Sequence, residues 1–124
     1  DGSVPDDWRR AYRILDELKR IAAGNGARLA IILIPAPWQI TGEGWQRWVE
    51  WLGVDPSTLS RLRPGDMVSR WCAISDTPCL DLREPLSRHD TGELYFRNDH
   101  HWTPAGHGVA ADAVAAFLQT HRLP

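Results

Sequence analysis

Residues 28–35, RLAIILIP, limit what this chain can fold into more than any other stretch. Leu29 through Ile34 is an unbroken aliphatic run, rich in β-branched residues and closed by Pro35. A strand with one wet side alternates apolar and polar residues. A run without alternation reads as a strand covered on both faces, as in the centre of a parallel sheet. It is far shorter than the roughly 20 residues that cross a bilayer. The rest of the chain must therefore supply helices for two faces and strands for two edges.

Helices are plentiful. In DDWRRAYRILDELKRIAAGNG, Trp8, Ala11, Tyr12, Leu15, Leu18 and Ile21 recur at helical spacing. Asp6 or Asp7 is placed to cap its start, and Gly24-Asn25-Gly26 offers a left-handed stop. PAPWQITGEG reads as a loop after the strand. WQRWVEWLG reads as a short helix with Trp45, Trp48 and Trp51 along one side. DPSTLSRL is a turn begun by Asp55 and Pro56, and PGDMVSRWCAI is a further helix. TPCLDL reads as a second strand, with Asp81 capping the segment after it, and ELYF as a brief extended piece. TPAGHGVAADAVAAFLQTH is a final helix, with Thr103 as cap and Pro104 as its first residue. Val109, Ala110, Ala113, Val114, Phe117 and Leu118 form its buried stripe.

Helical connections between strands imply parallel pairing and right-handed crossovers. The expected class is α/β: a three-layer α/β/α arrangement with a partial flavodoxin-like parallel sheet. Sheets usually hold more than two strands. Residues 1–124 therefore read as a single domain or a domain fragment. Its sheet would be completed by a missing amino-terminal half, or by a second copy meeting it at an exposed sheet edge.

A net charge of −2, with no basic cluster beyond Arg9-Arg10 and the Arg61/Arg63 pair, gives nucleic-acid binding little support. Cys72 and Cys79 have six residues between them, wider than metal-binding pairs prefer, and no second pair completes a thiolate zinc site. Either they form a disulfide, which would mark an oxidising, extracytoplasmic compartment such as the periplasm, or they are two free buried thiols.

The densest chemistry is FRNDHHWTPAGHG, residues 96–108. Asp99, His100, His101 and His107 could each ligate zinc or iron. But adjacent histidines diverge on an extended backbone, and no HExxH is present. Helix capping accounts for Thr103-Pro104 and leaves His89, His107 and His121 as surface residues, yet it does not call for Asp-x-His-Trp before the cap. A nucleophilic reading does. A serine hydroxyl needs an imidazole to take its proton, and the imidazole needs a carboxylate to orient it and stabilise the imidazolium. Asp99 and His101 can share one pocket if the loop bends.

NDHHWTPAGHGVAADAVAAFL resembles the last block of the SGNH (GDSL-type) hydrolase superfamily. There an Asp and a His precede a short polar stretch, a glycine and an amphipathic helix. Asp-x-His-Trp-Thr-x-x-Gly is most similar to the alginate O-acetylation branch of bacterial carbohydrate O-acetyltransferases. RLAIILIPAPWQI and TPCLDLREPL resemble the family more loosely, so the likeness spans roughly residues 28–120. It implies Asp99 as triad acid, His101 as base and Gly106 as the point of close helix approach. It also implies acyl transfer through a seryl ester with no metal and no organic cofactor. The implied partner is an acylated small molecule or a polysaccharide.

The family's Gly-Asp-Ser block, and the glycine and asparagine of its oxyanion hole, have no match here. Asp1-Gly2-Ser3 carries the letters in another order, Ser75 has no motif around it, and Asn98 is in the wrong place for the oxyanion residue. In the alginate branch the serine follows the histidine block, and that order too leaves this chain without it. The expected activity is thus an ester hydrolase or O-acetyltransferase that needs a serine from elsewhere. The alternative is a non-catalytic carbohydrate- or protein-binding module on the same fold. Trp102 is the expected pocket wall beside His101. Trp38 is expected to contact substrate, with Trp45, Trp48 and Trp51 either extending a sugar-stacking platform or simply covering the sheet.

Overall fold

The computed structural model describes residues 5–97 and 99–123. Ser3 and Asn98 lie outside the described residues. Along the chain come α1 (Asp6–Gly24), β1 (Ile31–Leu33), α2 (Pro37–Ile40), α3 (Gly42–Leu52) and a 3-10 turn (Pro56–Thr58). They are followed by α4 (Arg63–Ser75), β2 (Cys79–Asp81), α5 (Arg83–Ser87), α6 (Thr91–Leu94) and α7 (Pro104–His121). The strands pair in parallel, Ile31 opposite Cys79 and Leu33 opposite Asp81. The chain is α/β as its alternating pattern requires, but mostly helical, with a sheet of two strands among the described residues.

Local chemistry explains most boundaries. Asp55 caps the 3-10 turn by accepting the Ser57 N–H at 2.8 Å. Thr41 caps α3 through the Gly44 N–H at 3.1 Å, and Gly53 ends it in the left-handed region at φ 64°. Asp81 accepts the Arg83 N–H at 2.9 Å, as its position after a strand implies. The Arg83 guanidinium then joins Asp81 at 2.8 Å and Asp66 at 2.7 Å, tying β2 to the start of α4.

Four expectations are corrected. β1 is shorter than 29–34 and is not covered on both faces, since Ile32 is 39% and Ile34 67% exposed. PAPWQITGEG is not all loop: Pro37 starts α2, and the Gln39 side chain accepts the Ala36 N–H at 2.9 Å. Only half of ELYF is extended: Glu93 and Leu94 close α6, which Asp90 caps through the Gly92 N–H at 2.9 Å, while Tyr95 is the bridging residue. At α1 neither aspartate caps; Pro5 holds the cap position and Asp7 accepts from its neighbour Trp8.

The buried centre lies at one end. Leu82, Leu86, Leu94, Tyr95 and Ala110 form it, with Ile40, Leu80, Trp102, Val109 and Ala113 packed around. α7 contributes Ala110 and Phe117 as anticipated. By contrast, α1 buries no residue fully, and Leu18 and Ile21 face outward from the stripe assigned to the core. Hydrogen bonds hold it to α4. The Tyr12 hydroxyl donates to the Met67 carbonyl at 2.6 Å, the Trp71 indole donates to Asp16 at 2.9 Å, and Lys19 reaches the Ser75 carbonyl. Nor does α3 cover the sheet; it packs on α2, buries Val49 and leaves Trp51 80% exposed.

Gly106, in the first turn of α7, touches α6 so closely that an added Cβ would overlap the Leu94 carbonyl oxygen. Gly108, one half-turn on, has open space around it. Gly106→Ala should therefore lower the unfolding free energy by about 1–3 kcal/mol through forced separation of α6 and α7. Gly108→Ala should raise it by up to about 1 kcal/mol through helix propensity. Urea unfolding of the two variants checks the opposite signs.

Candidate active site

The segment ahead of α7 is built as a closed loop. Tyr95 and Trp102 form an antiparallel bridge. Inside it the Phe96 N–H donates to the His101 carbonyl at 2.8 Å, and the His100 N–H donates to the Phe96 carbonyl at 3.1 Å. Thr103 fixes the far end, donating its N–H to the Leu94 carbonyl at 2.9 Å and accepting the Gly106 N–H on its hydroxyl at 3.2 Å. The loop is thus clamped to α6 and α7 before any of its side chains is considered.

Asp99 and His101 come together on this loop. Asp99 Oδ1 accepts the His101 backbone N–H at 3.0 Å and lies 3.5 Å from His101 Nδ1. The first contact is a hydrogen bond; the second is ion-pair reach, longer than a good hydrogen bond. Both side chains are open to solvent, 60% exposed for Asp99 and 83% for His101.

His100 goes the other way. Its backbone is left-handed, φ 61°, a conformation that costs a β-substituted residue roughly 1–2 kcal/mol. The turn sends its ring edge-on to Trp38 at 5.3 Å and 90°. Trp38 lies parallel to Trp48, 5.5 Å away with 6° between planes, and Trp45 leans on Trp48 at 5.2 Å. An aromatic group from α2 and α3 is therefore linked to the loop that carries the Asp–His pair. The two histidines diverge, as adjacent residues on a non-helical backbone must.

Trp102 is half-buried beside its bridge partner Tyr95, whose hydroxyl donates to the Pro35 carbonyl at 2.9 Å. His107 is exposed and sits edge-on to Trp102 at 5.5 Å. Burial raises the pKa of the Tyr95 hydroxyl above its ordinary value, a shift the neighbouring Trp102 indole offsets only in part. Burial raises Tyr12 as well.

The Ser75 hydroxyl is engaged elsewhere, paired with Thr77 at 2.8 Å at the end of α4. Among the described residues no serine hydroxyl is bonded to His101, and no group of three or more His, Cys, Asp or Glu is placed to hold a metal ion. Sequence reasoning missed Tyr95 and His100. Tyr95 finds its acceptor sixty positions away, which no local spacing announces. His100 looked like a bystander because a left-handed non-glycine residue leaves no mark in sequence.

A family model described as SGNH hydrolase-like domain, acetyltransferase AlgX, matches residues 7–124. The chain belongs to that family. The match covers both strands and the loop bearing Asp99 and His101, in agreement with the resemblance carried by NDHHWTPAGHG. No curated protein and no solved structure shows a significant match. Among the described residues no helix is long and apolar enough to cross a membrane.

Tyr95→Phe removes the hydrogen-bond donor to the buried Pro35 carbonyl. It should cost about 1–3 kcal/mol at neutral pH. A folded-state tyrosine pKa raised by burial means that the unfolded chain ionises first. Stability is then fully present below about pH 10 and lost as pH rises through the folded value. Denaturant titrations from pH 7 to 11 should show that decline, shallower in the Tyr95→Phe variant.

Proposed function

We propose that this chain supplies the acid–base half of a Ser-His-Asp acyl-transfer site, acting on an O-acetylated or acetyl-accepting carbohydrate. One observation carries the reading: in a member of an SGNH acetyltransferase family, Asp99 and His101 approach within 3.5 Å on a clamped loop ahead of a helix. Asp99 orients His101 through Nδ1 and leaves Nε2 to take the serine proton. The serine oxygen attacks the acyl carbonyl, and imidazolium returns the proton to the departing alcohol. Water or a sugar hydroxyl then releases the acyl group by the same two proton transfers, giving hydrolysis or transfer. The Asp–His contact shortens when substrate and nucleophile enter, as apo contacts of catalytic pairs commonly do.

The serine, on this reading, comes from polypeptide outside residues 1–124. These residues are then one part of an SGNH domain, and the two strands belong to a larger three-layer, flavodoxin-like sheet. The apolar side of β1, with Ile32 and Ile34 exposed, is where the remaining layers or a second copy would lie. Trp102 walls the pocket beside His101. Trp38, presented beside the same loop, meets a sugar ring. A binding module without catalysis is the second reading, favoured by the outward-facing Trp51 and the half-exposed indoles of Trp38, Trp45 and Trp48.

A fluorophosphonate probe separates the two. Polypeptide that includes the serine block should label, and His101→Ala should slow labelling by about 10²–10⁴-fold. The 124-residue chain alone should not label. Labelling of the short chain would place the nucleophile within it, and no labelling of the longer one would leave the binding module. In the longer enzyme, Trp38→Ala should raise KM for an acetylated oligosaccharide by roughly 10-fold with little change in kcat, the mark of lost uniform binding.

A further inference from the structure

The two cysteines stand apart from the Asp–His chemistry. Cys72 lies in the last turn of α4 and is buried; Cys79 is the first residue of β2 and half-buried. The two thiols are neighbours, and α4 packs on β2 where they meet. The six residues between them are already folded back: Asp76 ends α4 in the left-handed region, the Thr77 N–H donates to the Cys72 carbonyl at 2.9 Å, and the Ser75 and Thr77 hydroxyls pair at 2.8 Å. Closing the S–S bond therefore asks for little chain entropy beyond what the native turn has already lost, whereas the unfolded chain would lose freedom.

We propose that Cys72 and Cys79 form an intramolecular disulfide in the presence of a disulfide oxidant, a covalent staple between α4 and the leading end of β2. Cys79 is the sulfur an oxidant can reach. Its thiolate attacks one sulfur of an external disulfide, forming a mixed disulfide and expelling one thiolate. Cys72 then gives up its proton and attacks Cys79 Sγ, expelling the second thiol. The protein loses two electrons and two protons, and the oxidant gains both as two thiols.

Burial and the neighbouring thiol push Cys72 up to about 12, which makes it the poorer first nucleophile and the resolving one. The staple would hold Cys79 opposite Ile31, so it bears on the pairing of both strands. Its formation is independent of the acyl-transfer reading.

The test uses the folded chain in oxidised and reduced glutathione mixtures, quenched with acid and read by intact mass and peptide mapping. The expected product is a Cys72–Cys79 cross-link. Hydrogen exchange of the β2 amides should slow by roughly 10-fold or more on oxidation, because opening β2 then requires the stapled turn to open. Cys72→Ser should accumulate glutathione on Cys79, whereas Cys79→Ser should remain unmodified while folded. A stable glutathione adduct on Cys79 in the unaltered chain, or a chain that stays a dithiol across the series, would overturn the proposal. The unaltered chain gives its answer whether or not the serine variants fold.

Discussion

The Tyr95 hydroxyl is the point on which the rest of the structure turns. It donates to the Pro35 carbonyl, just beyond β1, and Tyr95 itself bridges Trp102, the residue next to His101. One buried phenol thus joins the end of the strand, the end of α6 and the segment bearing the Asp–His pair. A polar group taken out of water must be bonded, so this site has one low-energy arrangement and the loop inherits its position from it. The Gly106 contact with Leu94 completes the frame by bringing α7 against the same carbonyl ridge.

On that frame the loop sorts its histidines by backbone geometry. The left-handed turn at His100 sends one ring toward the tryptophans of α2 and α3 and leaves the next beside Asp99. The aromatic group and the Asp99–His101 pair are placed on opposite sides of one short turn. The exposed pair needs no burial of its own to be held, since Phe96 and Trp102 are anchored before and after it.

Much of this was legible in the sequence because it is local. Thr103-Pro104, Asp55-Pro56 and Gly24-Asn25-Gly26 declare their turns through side chains that reach only a few residues. The parallel pairing of RLAIILIP with TPCLDL followed from the helices between them. The Asp-x-His-Trp string pointed to a pair that lies within ion-pair reach. What could not be read is non-local. The aliphatic run implied two covered faces, yet Ile34 is two-thirds exposed, because periodicity records what a strand requires and not which polypeptide provides it. The α1 stripe was right over Trp8, Ala11, Tyr12 and Leu15, which are half-buried, and misled only at Leu18 and Ile21, which obey helical spacing yet face outward. Hydrogen bonds of Tyr12, Asp16 and Lys19 attach the helix to α4.

That mode of attachment gives α1 a distinct mechanical character. Hydrogen bonds are directional and short in range, so three of them set the rotation and axial position of the helix sharply while adding modest net stability. A helix secured by burial resists being lifted but tolerates sliding; one secured at a few polar points behaves conversely. The register of α1 on α4 is thus set by Tyr12, Asp16 and Lys19, apart from the centre to which α5, α6 and α7 contribute.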